Sequence, residues 1–262
     1  MKLSLAGQAI HIATGRPDFD PSQPSLILVH GAANDCNAWR DVMPMLATAR
    51  FNVFAPDLPG HGMSSGVALT SIEAISDWLL TLIDALGLQQ AALAGHSMGS
   101  LAVLEAAAKG GKRITQLALL GAAVPMPVSG QLLETASRQP DEACKMVTTW
   151  SHTPTFFLSG GGGHGVWGPG KTLAVMRRNS GTLAGDLVNC NNYQHGLAAA
   201  ALAACPSLLI LGKRDRMTPL RAAQPLQDAL QNAGRTEIAD CGHAMMVERP
   251  REVAAALLSL LA

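Results

Sequence analysis

The sequence predicts an α/β protein: a mainly parallel central sheet flanked by helices, with an inserted cap in its second half. Three observations carry that reading. Short apolar runs recur at 25–29, 91–94, 114–120 and 208–211, as expected of strands covered on both faces. Segments with helical spacing of apolar residues lie between them, and repeated β-α units imply parallel strands joined by right-handed crossovers. From about residue 122 to 204 the alternation stops, and then it resumes. A chain of 262 residues is long for one core and short for two. The core is therefore expected over 1–121 and 205–262, with a cap or lid over 122–204.

Composition excludes several classes of function. Nineteen Lys and Arg balance nineteen Asp and Glu without any run of like charge, which leaves no footprint for nucleic acid or an anionic membrane. A neutral or weakly charged small-molecule substrate fits better. The five cysteines, Cys36, Cys144, Cys190, Cys205 and Cys241, are scattered and lack C-x-x-C spacing, so neither a disulfide framework nor a zinc site is expected. The longest apolar tract, Leu197 to Leu211, is too short for a bilayer span and is broken by Pro206. The expectation is a cytoplasmic, reduced protein with no metal or other cofactor. Oligomeric state is not legible.

At the N-terminus Leu3 and Leu5, a turn at Ala6-Gly7, and Ile10 and Ile12 read as a β-hairpin, without the unbroken apolar stretch of a signal peptide. Ser25 to Val29 is a buried strand that ends in His30-Gly31-Ala32-Ala33. A helix is expected over Trp39 to Ala49, a strand over Phe51 to Ala55, and a loop over Pro56 to Gly62. Thr70 and Glu73 have capping-box spacing ahead of a helix whose buried face carries Ile72, Ile75, Leu79, Leu82, Ile83 and Leu86. Beyond the insertion, Leu208 to Leu211 is a strand, Pro219 to Ala233 a helix stopped by Gly234, and Thr236 to Ala239 a strand. Pro250 opens the last helix.

The stretch Ala91 to Ala108 stands apart. An apolar strand breaks at Gly95-His96-Ser97-Met98-Gly99 and resumes as helix formers. Glycines two before and two after Ser97 clear side chains from a tight strand-to-helix turn, so a serine in strained backbone can project its hydroxyl. This G-x-S-x-G stretch resembles the nucleophile elbow of serine hydrolases in the α/β-hydrolase superfamily, and the resemblance extends over most of 1–121 and 205–262. It implies an oxyanion hole built from the backbone N–H groups of Ala32 and Met98. It also implies that the Asp57-Leu58-Pro59-Gly60-His61-Gly62 loop is structural, so Asp57 and His61 are not assigned catalysis.

A serine hydroxyl needs a base. Of eight histidines, His11 lies in the hairpin, His30 and His61 in strand-end loops, His96 beside the nucleophile facing away, and His152, His164 and His195 in the insertion. His243, after the last predicted strand, remains, and the chain order Ser, acid, His supports it. Asp215, just after the strand Leu208 to Leu211, matches the family's usual acid position. Some relatives place the acid one strand earlier, but here that slot reads Gly121-Ala122-Ala123. The alternative for Asp215 is a helix cap or an ion pair with Arg214 or Arg216.

Together Ser97, Asp215 and His243 imply acyl transfer, with a carboxylic ester as substrate. Thioesters, lactones, carbon–carbon bonds next to a ketone and peracid formation are open to the same constellation. A serine nucleophile argues against relatives that use aspartate, the dehalogenases and epoxide hydrolases. A non-catalytic binding protein of the same fold is a further alternative. Trp150, Phe156, Phe157 and Trp167, with Met98, Met245 and Met246, suggest an apolar acyl pocket. Gly165 to Thr172 fits G-x-x-x-x-G-K-[ST], but the glycine run before it cannot be the required strand, so a mobile cap loop is expected there instead of a nucleotide site.

Overall fold

The sheet has eight strands. The computed structural model of the chain describes residues 1–16, 18–47, 51–159 and 167–261. In sequence the strands are β1 (Lys2–Leu5), β2 (Gln8–Thr14), β3 (Ser25–Val29), β4 (Asn52–Pro56), β5 (Ala91–His96), β6 (Ile114–Leu120), β7 (Ser207–Gly212) and β8 (Ala233–Ile238). In space the order is β1-β2-β4-β3-β5-β6-β7-β8. The hairpin β1-β2 is antiparallel and joins the sheet antiparallel to β4, while every other pairing is parallel. Ala6 and Gly7, both with positive φ, make its turn.

The helices are α1 (Met43–Ala47), α2 (Ile72–Ala85), α3 (Met98–Gly110), α4 (Gly130–Arg138), α5 (Pro140–Ser151), α6 (Pro154–Ser159), α7 (Gly168–Arg178), α8 (Leu183–Asn192), α9 (Gly196–Leu202), α10 (Gln224–Ala229), α11 (Met245–Glu248) and α12 (Pro250–Leu261). Alternate strand residues face opposite ways, and the core divides accordingly. Ile27, Val29, Leu93, Leu117, Leu119 and Leu209 pack with α2, α3, α9 and α10 on one face. Leu26, Leu28, Ala92, Ala118, Leu120 and Ile210 pack with α1, α11 and α12 on the other. Both faces are apolar, which is why the strands read as continuous runs.

Between β6 and β7 the chain forms α4 to α9. Leu132, Ala136, Ala143, Val147, Met176, Leu183 and Leu187 of α4, α5, α7 and α8 make a third cluster that also takes in Ala33. The last helix, α9, packs through Ala199 and Ala200 into the cluster that contains α3.

Several local expectations are corrected. The helix expected over 39–49 is a 3-10 turn at Cys36–Trp39 followed by the short α1, because Pro44 has no N–H to donate and is tolerated only in a first turn; residues 48–50 lie outside the described residues. The cap of α2 is Ser71, whose hydroxyl accepts from Ala74 N–H, and not Thr70. The helix after β7 ends at Ala229, so Gly234 lies inside β8 and stops nothing. Gly165 and Val166 lie outside the described residues, but Gly168 to Thr172 open α7 and do not form a loop. Among the described residues α6, not a strand, precedes them.

Candidate active site

The chain crosses from β4 to β5 over β3, so the strand order reverses between β3 and β5. Loops leaving neighbouring strands there turn to opposite sides and open a crevice beyond the strands' carboxyl ends. Ser97 follows β5 and Ala32 follows β3. Ser97 has φ 53° and ψ −119°, a conformation that L-residues rarely adopt. Its N–H donates to Leu120 O at 2.9 Å.

The two glycines have specific reasons. A Cβ on Gly95 would overlap the carbonyl of Gly99, and one on Gly99 would lie 2.5 Å from the carbonyl oxygens of His30 and Val29. These obstacles are backbone and cannot rotate away. Gly99→Ala is expected to cost about 1–3 kcal/mol of stability; an unchanged Tm in thermal unfolding would show that the turn has slack.

His243 sits on the loop between β8 and α11, 3 % exposed. Its Nδ1 lies 2.7 Å from Asp215 Oδ2. Asp215 also accepts from Met217 N–H at 2.8 Å, Thr218 N–H at 2.9 Å and Thr218 Oγ1 at 2.7 Å. Burial opposes its ionisation, but the His243 imidazole and the Thr218 bonds outweigh that and hold its pKa below the usual value. Arg214 pairs with Asp240 instead, at 3.0 Å. Since Asp215 takes the proton on Nδ1, Nε2 of His243 is left as the acceptor nitrogen, and it has no partner among the described residues.

Three further groups seat this loop. Ala244 N–H donates to Ser151 O at 2.8 Å. Glu248 accepts from Thr153 N–H and Oγ1, both at 2.9 Å, and burial raises its pKa. Gly121 has φ 56°, and a Cβ there would lie 3.0 Å from Cε1 and Nδ1 of His243. His96 corrects the expectation that it faces away: its ring centroid is 4.7 Å from that of His243, and its Nε2 donates to His243 O at 2.9 Å. Burial, then the neighbouring His243, push its pKa down to about 3, so it is neutral.

Ala32 follows β3, and Met98 follows Ser97 after β5. Met98 opens α3, where first-turn amides have no intrahelical acceptor. Behind Ala32 runs a buried polar network that the sequence did not reveal. Ala33, with φ 49°, donates its N–H to Asp186 Oδ2 of α8 at 2.8 Å. Asp186 Oδ2 also faces His61 Nε2 at 2.9 Å, both residues 2 % exposed. Gly62 N–H donates to Asn179 Oδ1 at 2.7 Å, and Arg178 pairs with Asp35 at 2.8 Å.

His61 Nδ1 faces Pro59 O at 3.0 Å. Both ring nitrogens therefore face groups that can accept, an arrangement that favours the imidazolium. Burial works against that charge, but Asp186 prevails and the pKa is raised from 6.5. Its neighbour His30 is neutral: burial and the charge of His61 lower its pKa to about 4. A raised folded-state pKa gives stability that is complete below the unfolded value, about 6.5, and lost as pH rises through the folded one. Tm should thus fall across that window in the wild type and more shallowly in His61→Gln. Parallel Tm profiles would refute the charge assignment.

His11, Cys36 and Asp57 place potential ligand atoms within 4.8 Å of one another. They fit a cation poorly. Both Asp57 oxygens already accept backbone N–H groups, from Cys36 at 2.7 Å and Met63 at 2.8 Å. Burial and nearby carboxylates push the Cys36 thiol well up, away from the thiolate a metal needs.

One cavity of about 520 Å³ is lined by Gly31, Ala32, Ser97 and His243 together. Its apolar wall comes from Met126, Val128, Leu132, Val147, Trp150, Val175, Met176, Leu183 and Leu187, with Met217, Met246 and Val247. Of the residues singled out from sequence, Trp150 and Met246 contribute. Phe156 instead stacks on His152 and Phe157 packs edge-on to Trp167. Met98 and Met245 are fully buried in the core.

A sequence model of the alpha/beta hydrolase family matches residues 26–256, from β3 to within α12. The chain is an alpha/beta hydrolase. It is 27% identical over 247 residues to a pimeloyl-[acyl-carrier protein] methyl ester esterase of Aromatoleum aromaticum, covering 89% of this hydrolase and 96% of the relative. It is 28% identical over 276 residues to a 2-hydroxymuconate semialdehyde hydrolase of a Pseudomonas species, covering 90% and 86%. Among solved structures, the enol-lactonase from Burkholderia xenovorans LB400 aligns over 100% of this hydrolase and 99% of its own chain, with a TM-score of 0.84 at 22% identity. No helix among the described residues is long and apolar enough to cross a membrane.

Proposed function

We propose that this hydrolase cleaves a carboxylic ester, or a related acyl compound, through an acyl-enzyme on Ser97, and that its substrate is an apolar small molecule. The observation that carries this reading is His243: one ring nitrogen is held by Asp215, and the ring shares a cavity wall with Ser97. In the reaction, Ser97 Oγ attacks the carbonyl carbon while His243 Nε2 takes its proton. The N–H groups of Ala32 and Met98 bind the developing oxyanion. His243 then gives the proton to the leaving alcohol, and water, deprotonated by the same nitrogen, releases the acid. Residues 122–204 serve as the cap and supply most of the apolar wall, from Met126 to Leu187. Five free cysteines suit a reducing compartment such as the cytoplasm.

The likeness to 2-hydroxymuconate semialdehyde hydrolase supports a second reading, hydrolysis of a carbon–carbon bond next to a ketone. The leaving group would then be a carbon that needs the proton. Turnover of p-nitrophenyl esters from acetate to decanoate, beside a vinylogous diketone, separates the two. The ester reading expects kcat/KM to rise with acyl length until the cavity is full. Turnover of the diketone alone would favour the second.

A further inference from the structure

We propose that Asp186 is a positioning residue for the oxyanion-binding amide of Ala32, acting from the cap as a neutral pair with His61. The inference rests on the serine-hydrolase reading above. Ala33 is one residue beyond Ala32 and holds φ 49°, where a non-glycine residue is strained and must be held by its surroundings. What grips it is the 2.8 Å bond from its N–H to Asp186 Oδ2, across 153 residues of chain. The same oxygen takes His61 Nε2 at 2.9 Å and Thr182 Oγ1 at 3.2 Å. The peptide that follows Ala32 is therefore oriented by a side chain of α8, and the loop takes its catalytic shape only when α8 is seated.

The charge arrangement sharpens the argument. A lone carboxylate beside an oxyanion site would repel the charge that develops in the transition state. The imidazolium of His61 cancels it at contact distance, so Asp186 can hold the loop without opposing the reaction. A neutral acceptor would suffice if the bond served packing alone, whereas a buried carboxylate with a dedicated cation gives a stronger, more directional grip on a strained residue.

The test uses the full chain, a fluorophosphonate probe that forms a tetrahedral adduct on the serine, and p-nitrophenyl butyrate. Asp186→Asn is expected to lower both the labelling rate constant and kcat by about 10- to 100-fold, less than the loss of a whole oxyanion donor, with KM within about threefold. Should that variant fail to fold, His61→Gln carries the test, because it keeps a donor to Asp186 but leaves the carboxylate uncompensated. Its labelling rate is expected to drop at least about tenfold at unchanged KM. Unchanged labelling in a folded variant, or a loss that merely follows the unfolded fraction, would overturn the proposal alone. Failure of the wild type to label would overturn the serine-hydrolase reading and this proposal together.

Discussion

Ser97→Ala is expected to abolish ester turnover, with kcat down by on the order of 10⁶, and to remove fluorophosphonate labelling altogether. The size follows from what remains. Without the hydroxyl no acyl-enzyme can form, and only the proposed oxyanion amides of Ala32 and Met98 would be left to polarise a bound carbonyl for direct attack by water. Folding should survive, since the Ser97 hydroxyl makes no hydrogen bond among the described residues and α3 is held by its buried face. Retained labelling at another residue would remove Ser97 from the mechanism. Retained turnover without labelling would point to a different nucleophile.

Asp215→Asn is expected to lower kcat by about 10⁴, with KM nearly unchanged. The substituted side chain can still accept from Met217 and Thr218 N–H, so the loop should keep its shape. What changes is the face toward His243. An amide NH₂ opposite Nδ1 selects the tautomer that carries its proton on Nε2, which cannot then receive one from Ser97. Thr218 Oγ1 lies 3.2 Å from Nδ1 and is placed to take over part of the role. A loss much smaller than expected should therefore grow when Thr218→Val is added.

Stability should respond as well. The pKa of Asp215 is depressed in the fold, so its contribution is present above the unfolded value near 3.9 and is lost as pH falls through the folded one. The acid-side fall in Tm should accordingly be shallower in Asp215→Asn than in the wild type.

The strands were legible because both faces of the sheet are covered, and the runs at Ser25 to Val29 and Ile114 to Leu120 need no alternation to be recognised. The turn at Ser97 was legible because Gly95 and Gly99 answer backbone obstacles that any such turn creates. Helix ends were not. Ser71 outcompeted Thr70 as a cap, and Gly234 was absorbed by β8, because packing and pairing set those boundaries more than local propensity does.

The support of the site was least legible. Asp186 and His61 are 125 residues apart, and nothing local to either announces a buried pair. Thr218 left a faint trace, three residues after Asp215 in a turn. The pocket wall was misjudged from its aromatics, since of the four Trp and Phe side chains singled out only Trp150 lines it, and aliphatic and methionine side chains make up the rest of its apolar part.

Gly121 bears on how this scaffold could change. The bare backbone just past β6 is what lets the imidazole of His243 settle against it: a side chain at 121 would begin 3.0 Å from the ring, on a backbone whose φ of 56° favours glycine. In this chain the imidazole of His243 therefore occupies the space that any side chain at residue 121 would need first.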